Sequence, residues 1–280
     1  MFNNKKTSRL LSGPYIAWAF IFIIVPLGMV LFYGFTDAQG ALTFENVAAI
    51  ARSVHARALG LALILSVIST VICFILAYPL GMILARNKLS SQGIVTTLFI
   101  LPMWMNFLLR TLAWMTLLEN KGVINGILDF FHLPEINVIN TPAAIVIGMV
   151  YNFLPFMILP IYNSLSSIDE NVINAARDLG ADSRQTFFRV TLPLTIPGIV
   201  SGITMVFIPA LTTFAISTML GGSKILLIGN VIEQEFTLSY DWNLGAGLSI
   251  VLMLFIVVNM VVSVLADSSE SQEKKRGAPE

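Results

Sequence analysis

Long apolar segments constrain this chain more than any other feature. A helix that rises 1.5 Å per residue needs about 20 residues to cross a bilayer core of about 30 Å. Six apolar segments meet that length, at 15–35, 58–85, 94–118, 141–165, 194–218 and 244–266. Only 11% of the 280 residues are charged, against about 25% in soluble domains. We therefore expect an all-α membrane protein with six transmembrane helices.

The distribution of basic residues predicts the orientation of these spans. Eleven of the 16 Lys and Arg residues lie in the two ends and the even-numbered loops, and four lie in the odd-numbered loops. The richer side faces the cytoplasm, which places both termini there. We expect a cytoplasmic N-terminus at 1–14, a membrane domain at 15–266 and a disordered cytoplasmic tail at 267–280. The first apolar segment is longer than the core of a signal peptide, so we expect it to be retained.

The residues argue against several functional classes. Net charge is zero, so nothing indicates binding to nucleic acid. No phosphate-binding loop and no nucleophile motif occur, so we expect neither ATP hydrolysis nor other catalysis by this chain. His55 and His132 lie far apart without metal-ligand spacing, and the single Cys73 lies in an apolar segment. We expect no metal site and a structural role for Cys73.

Polar residues within the predicted spans are candidates for a translocation path. In the third span, Asn106, Arg110 and Trp114 are spaced four residues apart, beyond Pro102. A charge inside a span usually faces protein or water. Arg110 is either part of a path or gate, or a structural charge that pairs with an acid or extends to the membrane surface. The fourth span holds Tyr151 and two prolines, and the fifth holds several hydroxyls beside Phe214. For these residues, pore lining and ordinary packing both stay open.

A polar stretch at 167–197 separates the fourth and fifth spans and predicts two short helices. The Ser167-x-x-Glu170 pattern is typical of a capping box, and apolar residues up to Leu179 follow at helical spacing. Gly180 suits a helix end, and Asp182 or Ser183 can begin a second helix. A self-capped amphipathic unit on the cytoplasmic side indicates a docking surface for a partner.

The same stretch resembles a known family motif. It contains Asn174-Ala175-Ala176, three residues, Gly180, nine residues, Val190, one residue, and Leu192-Pro193. This spacing is similar to the EAA loop in the membrane permeases of binding-protein-dependent ABC importers (the MetI-like type). Asn174 stands where the motif has Glu, and Val190 where it has Ile. Further segments, including LGGSKILLIGNVIEQEF at 220–236, resemble permeases for spermidine and putrescine.

The resemblance implies a noncatalytic permease and a set of partners. These are a PotC-like paralogous permease, a dimer of PotA-like ATPase subunits that use ATP–Mg, a PotD-like extracytoplasmic binding protein, and membrane lipid. No cofactor is expected on this chain itself. The alternatives are a permease for another organic cation or small solute, and a stand-alone secondary transporter.

The resemblance also implies site residues. The coupling loop at 167–193 would contact the ATPase through Asn174, Ala175, Ala176, Arg177, Asp178, Gly180, Leu192 and Pro193. The candidates for the translocation path are Trp104, Asn106, Arg110, Tyr151, Phe214 and Thr218. The outer loops are acidic, and Glu119, Glu233 and Glu235 are expected to attract a cation at the outer mouth.

Overall fold

The computed structural model describes residues 14–86 and 101–276, and over these residues the expected helical class is confirmed. The helices are α1 Pro14–Gly34, α2 Glu45–Ala48, α3 Ser53–Arg86, α4 Phe107–Leu118, α5 Val123–Phe130, α6 Pro142–Ser166, α7 Glu170–Asp178, α8 Ser183–Leu194, α9 Ile196–Thr212, α10 Ala215–Leu220, α11 Ile228–Thr237 and α12 Trp242–Arg276. Short 3-10 turns lie at Ala49–Ala51, Leu101–Trp104 and Gly222–Lys224. Five-residue π-helical segments interrupt α1 at Phe20–Ile24 and α8 at Phe187–Thr191.

Four described helices, α1, α3, α6 and α12, are long and apolar enough to cross a membrane. The pair α8 and α9, bent by 61°, brings the number to five if it forms one span. In the described part of the predicted third span, the helix α4 begins at Phe107, after a 3-10 turn at Leu101–Trp104. Residues 94–100 of that span lie outside the described residues. Six spans with cytoplasmic termini therefore stay a prediction.

The described chain divides into two compact units. One comprises the chain up to Arg57 together with Val231–Phe255, and the other comprises Ala58–Asn230 together with the chain from Ile256 onward. In the first unit, asparagine side chains satisfy the carbonyl groups beyond the end of α1. Asn243 Nδ2 and Asn46 Nδ2 donate to the Thr36 carbonyl, at 2.6 and 2.8 Å.

The second unit is held together by close contact between α6 and α9. Gly198 lies against the Pro160 carbonyl and Ser164, and Gly202 lies against Met157. Small residues allow membrane helices to approach closely, where packing and not water exclusion drives association. Met157, Ile158 and Ile161 of α6 are almost fully buried.

The fifth span is broken, whereas the sequence predicts one helix over 194–218. The helix α9 ends at Thr212, Thr213 is extended with φ −65° and ψ 135°, and α10 begins at Ala215. Pro209 lies one turn before the break and has no N–H to donate to the preceding turn. The break leaves backbone N–H and C=O groups without a partner in the helix, so other residues must form hydrogen bonds with them.

The last helix also differs from expectation. It runs to Arg276, so residues 267–276 are helical where the sequence predicts a disordered tail. The segment is rich in Glu, Gln, Lys and Arg, which favour helix when a preceding helix already supplies the nucleus.

Candidate coupling surface and translocation path

The loop predicted at 167–193 to couple to an ATPase folds as the helical hairpin α7–α8. The cap of α7 is Asp169, whose Oδ1 accepts from the Asn171 N–H at 2.9 Å. The expected capping box at Ser167 is wrong, because Ser167 ends α6 and donates to the Ser164 carbonyl at 2.8 Å. Asp169 and not Ser167 caps α7 because Asp169 lies directly before the first helical residue. Its carboxylate is also attracted by the partial positive charge at the start of the helix.

The end of α7 has the geometry predicted for Gly180. Its φ is +85°, a conformation that glycine adopts without steric cost. Gly180 N–H donates to the Arg177 carbonyl at 2.8 Å, and Ala181 N–H donates to the Ala176 carbonyl at 3.0 Å. These two bonds form a Schellman motif. The chain then enters α8 through a capping box of Asp182 and Gln185, in agreement with one of the two predicted caps.

Most predicted coupling residues lie on the surface of this hairpin. Asn174, Ala175, Arg177, Asp178 and Gly180 are exposed, whereas Ala176, Leu192 and Pro193 are half-buried. Leu179, the last residue of the apolar series along α7, is 90% exposed.

A cavity of about 400 Å³ opens between α7 and α8. Its lining includes Glu170, Asn174 and Arg177 from α7 and Ser183 and Phe187 from α8. Asn174, one of the two positions at which the chain departs from the motif, therefore lies at this cavity. Its neutral amide places no additional charge between Glu170 and Arg177.

The hairpin is tied to the membrane helices where α8 meets α9. Thr195 is the single residue between them, at the 61° bend. Its Oγ1 lies 2.9 Å from the hydroxyl of Tyr78 on α3, and both residues are buried. The Tyr78 ring also contacts Phe187 of α8 edge to face, with centroids 5.8 Å apart. Sequence reasoning missed Tyr78 and Thr195, since no motif marks either residue.

The path candidates of the third span are separated by the structure. Trp104 is 82% exposed at the end of a 3-10 turn. Asn106 caps α4, and its Oδ1 accepts from the N–H groups of Leu108 and Leu109 at 2.9 and 3.3 Å. Arg110 is buried, with 7% of its surface exposed. These three residues therefore do not form one accessible face.

Tyr151 of α6 lies at a contact between α4 and α6. It is 38% exposed, and its ring centroid lies 5.2 Å from that of Trp114 in an edge-to-face arrangement. The neighbouring Asn152 is buried and donates to the Gly148 carbonyl at 2.9 Å and to Thr111 Oγ1 at 3.5 Å. Tyr151 thus contacts Trp114 while part of its side chain stays exposed.

Phe214 and Thr218 lie at the broken fifth span, where Asn230 organises the backbone. Asn230 Nδ2 donates to the Phe214 carbonyl at 3.1 Å and to Thr218 Oγ1 at 2.8 Å. Its Oδ1 accepts from Ser217 Oγ at 2.6 Å and from the Leu227 N–H at 3.1 Å. Sequence reasoning missed Asn230, although it lies in the segment at 220–236 that carries the polyamine-permease resemblance.

The residues predicted at the outer mouth belong to different units. Glu119 is exposed at the end of α4. Glu233 and Glu235 are half-buried on α11, and the Glu233 carboxylate accepts from Thr237 Oγ1 at 3.1 Å. The structure does not join these acids into one cluster within either unit.

Known proteins resemble this chain in sequence and in fold. Residues 77–273 match the family described as binding-protein-dependent transport system inner membrane component. Two curated relatives are the spermidine/putrescine transport system permease proteins PotB of Haemophilus influenzae and Escherichia coli K12. Each is 35% identical, with 92% and 93% of this chain and 93% and 97% of those proteins covered. A bacterial alginate ABC transporter, solved in complex with an alginate pentasaccharide-bound periplasmic protein, has the same fold, with a TM-score of 0.76 at 18% identity over 92% of this chain and 93% of that chain.

Proteins of this kind are noncatalytic permeases in bacterial plasma membranes, where separate ATPase subunits hydrolyse ATP. They work with a paired permease and a substrate-binding protein. The match to the family model covers well over half of the chain. The chain is therefore a multi-pass membrane permease of the binding-protein-dependent transport system inner membrane component family.

Proposed function

We propose that this chain is the permease subunit of an ABC importer for spermidine and putrescine. The observation that carries the proposal is its 35% identity to PotB permeases over nearly the full length of both chains. The partners are then a PotC-like paralogous permease, a PotA-like ATPase dimer that binds ATP–Mg, and a PotD-like binding protein. The topology that fits this assembly has six spans and both termini in the cytoplasm.

In this proposal the α7–α8 hairpin is the docking site for the ATPase. The exposed Leu179 and the exposed residues Asn174, Ala175, Arg177 and Asp178 supply the contact surface. Closure of the ATPase dimer moves the hairpin, and the bend at Thr195 transmits that motion to α9 and, through Tyr78, to α3.

Cargo recognition follows from the chemistry of a polyamine, which combines ammonium groups with methylene stretches. Aromatic faces attract ammonium groups and cover methylenes, and Trp104, Tyr151 and Phe214 each expose part of a ring. Glu119, Glu233 and Glu235 attract the cation toward the outer mouth. Asn106 and Thr218 already use side-chain oxygens in local hydrogen bonds, so we assign them a supporting role.

The test is transport by the assembled system. The chain is co-expressed with a PotC-like permease, a PotA-like ATPase and a PotD-like binding protein, purified as a complex and reconstituted in liposomes. We expect ATP-dependent uptake of labelled spermidine or putrescine that requires the binding protein. Uptake of a different organic cation in preference to both polyamines would support the alternative cargo. Uptake by this chain alone, without an ATPase, would refute the importer assignment.

A further inference from the structure

A cavity of about 510 Å³ opens where the end of α1 meets the start of α12. Tyr33 lies in the last turn of α1 and Trp242 begins α12, and both helices are long enough to cross a membrane. Asn243 Nδ2 donates to the Tyr33 carbonyl at 3.1 Å, so the two helix ends are held together. The cavity therefore lies near the boundary between lipid and water, on the side that the sequence predicts to be outside.

Three aromatic side chains line this cavity: Tyr33, Tyr240 and Trp242. The ring centroids of Tyr33 and Trp242 lie 6.2 Å apart, with planes tilted by 47°. Phe236 contacts Trp242 edge to face at 5.6 Å, which further restricts the indole ring. An ammonium group is attracted to an aromatic face within about 6 Å of the ring centroid. One ammonium group in the cavity can therefore contact both rings.

Tyr240 lies in a backbone conformation that glycine would adopt more easily. Its φ is +53°, which is uncommon for a bulky side chain. The Ser239 N–H donates to the Gln234 carbonyl at 3.0 Å. The Asp241 N–H donates to the Glu235 carbonyl at 3.0 Å, so hydrogen bonds fix the turn on both sides of Tyr240. The Tyr240 side chain is 73% exposed. Packing does not account for a tyrosine here, whereas a ring presented to a ligand does.

The charge at the cavity favours a cation over an anion. None of the described residues that line it is basic, and Asp241 supplies a carboxylate. Asp241 Oδ1 accepts from the Leu244 N–H at 2.9 Å, and a carboxylate has further lone pairs for a second donor. Residues 14–57 and 231–255 together carry five acidic and two basic side chains. A metal ion fits less well, because the lining offers one carboxylate where calcium or magnesium takes about six oxygen ligands.

We propose that this cavity binds a primary ammonium group, through cation–π contacts with Tyr33, Tyr240 and Trp242 and an ion pair with Asp241. Two sources share this chemistry at a membrane surface: a soluble diamine such as putrescine, and the ethanolamine headgroup of a lipid. Both carry methylene groups next to the ammonium, which the rings can cover. The proposal goes beyond the proposed function, because it concerns binding to this chain and does not depend on which solute the importer carries.

Indole NMR signals of the full chain test this site. The chain is labelled with ¹⁵N at the tryptophan Nε1 atoms and held in dodecyl maltoside, which has no charge and no amine. Among the four tryptophans, the Trp242 signal is the one that Trp242→Phe removes. Titration with putrescine should shift this signal. The uncharged counterpart 1,4-butanediol, at matched ionic strength, should not.

Substitutions show which side chains hold the ammonium group. Asp241→Asn keeps a cap for α12 and removes the charge, so the Kd for putrescine or phosphatidylethanolamine should rise roughly fivefold. Asp129→Asn, at an exposed acid on α5, should leave the Kd unchanged. Tyr240→Leu should weaken binding severalfold, whereas Tyr240→Phe keeps the ring and should bind as wild type does. Equal affinity of wild type and Asp241→Asn would overturn the proposal.

A lipid titration distinguishes the two sources. Phosphatidylethanolamine is added to the micelles, with phosphatidylglycerol, which has no amine, as the control. A shift of the Trp242 signal with phosphatidylethanolamine alone, or one that putrescine competes away, supports an ammonium site for the lipid headgroup. A shift with putrescine alone supports an ammonium site for a soluble diamine. No shift with either compound, or an equal shift with both lipids and none with putrescine, would overturn the proposal.

Discussion

The hydroxyl of Tyr78 lies 2.9 Å from Oγ1 of Thr195, the residue at which the α7–α8 hairpin bends into α9. Thr195 Oγ1 also donates to the Leu192 carbonyl at 2.9 Å, so it accepts the hydrogen bond from Tyr78. Rings of Phe74 and Phe187 flank Tyr78, with centroids 5.7 and 5.8 Å away. One side chain of α3 thus holds both the bend and the adjoining π-helical segment of α8.

Removal of the Tyr78 hydroxyl should impair the coupling of ATP hydrolysis to uptake more than it impairs folding. Tyr78→Phe keeps the aromatic contacts and loses one buried hydrogen bond, worth about 1 kcal/mol. We expect a complex that still binds the ATPase but hydrolyses several times more ATP per cargo molecule imported. Measurement of ATPase and uptake rates in the same liposomes gives this ratio.

The corresponding double variant shows whether the effect acts through Thr195. Thr195→Val removes the other partner of the same hydrogen bond. The double variant Tyr78→Phe with Thr195→Val should therefore hydrolyse no more ATP per imported cargo molecule than the worse of the two single variants. Fully additive effects of the two changes would show that the residues act independently.

Gly180→Val should disrupt the hairpin through its backbone conformation. No atom lies within 4 Å of a Cβ built at Gly180, so the cost comes from its φ of +85° and not from crowding. A β-branched residue in this region loses about 1–2 kcal/mol. We expect membrane insertion to persist while the ATPase no longer co-purifies and uptake is lost.

Two control substitutions show whether the effect of Gly180→Val comes from the positive φ at this position or from the replacement of a glycine as such. Gly180→Asn should retain most function, because asparagine tolerates this conformation. Gly126→Val, where a Cβ also meets no atom within 4 Å but φ is not positive, should have little effect. Normal coupling in Gly180→Val would contradict the docking role of the hairpin.

Asn174→Glu restores the acid that the family motif carries, and we expect it to be tolerated. The side chain is exposed at the cavity between α7 and α8. A glutamate here can pair with Arg177 three residues later and is repelled by Glu170 four residues earlier. Each effect is about 0.2–0.5 kcal/mol and they oppose each other. Uptake should stay within about twofold of wild type; complete loss would show that the ATPase surface requires the neutral amide.

Asn230→Leu should destabilise the broken fifth span. Asn230 is 3% exposed and makes four hydrogen bonds to the segment around the break. A leucine of similar size leaves buried polar partners unsatisfied, at a cost of about 1–3 kcal/mol for each group without a new partner. We expect a lower midpoint of thermal unfolding in detergent. Asn120→Leu, an exposed position, serves as the control and should unfold as wild type does.

The partly exposed ring of Tyr151 should contribute to cargo affinity. Tyr151→Ala removes the ring and its contact with Trp114, whereas Tyr151→Phe keeps both. We expect a severalfold rise in the polyamine concentration for half-maximal uptake in Tyr151→Ala and little change in Tyr151→Phe. Trp104→Ala should behave like Tyr151→Ala. Normal uptake by both alanine variants would refute the assignment of the path.

The sequence alone determined the helical class, the membrane location and the pair of short helices that follows the fourth predicted span. Apolar runs of bilayer length and the scarcity of charge admit few other folds. The end of α7 was equally predictable, since Gly180 is the residue that a Schellman motif favours. These features depend on residues that are close together in the chain, so they can be predicted from the sequence.

The tertiary structure decided which polar residues act together. Asn106, Arg110 and Trp114 share a helical spacing in the sequence, yet Asn106 caps α4 and Arg110 is buried. Tyr78 and Thr195 are 117 residues apart and meet only because the folded helices bring them together. Hydrogen bonds and burial between distant segments arise from packing, and no spacing rule along the chain encodes them.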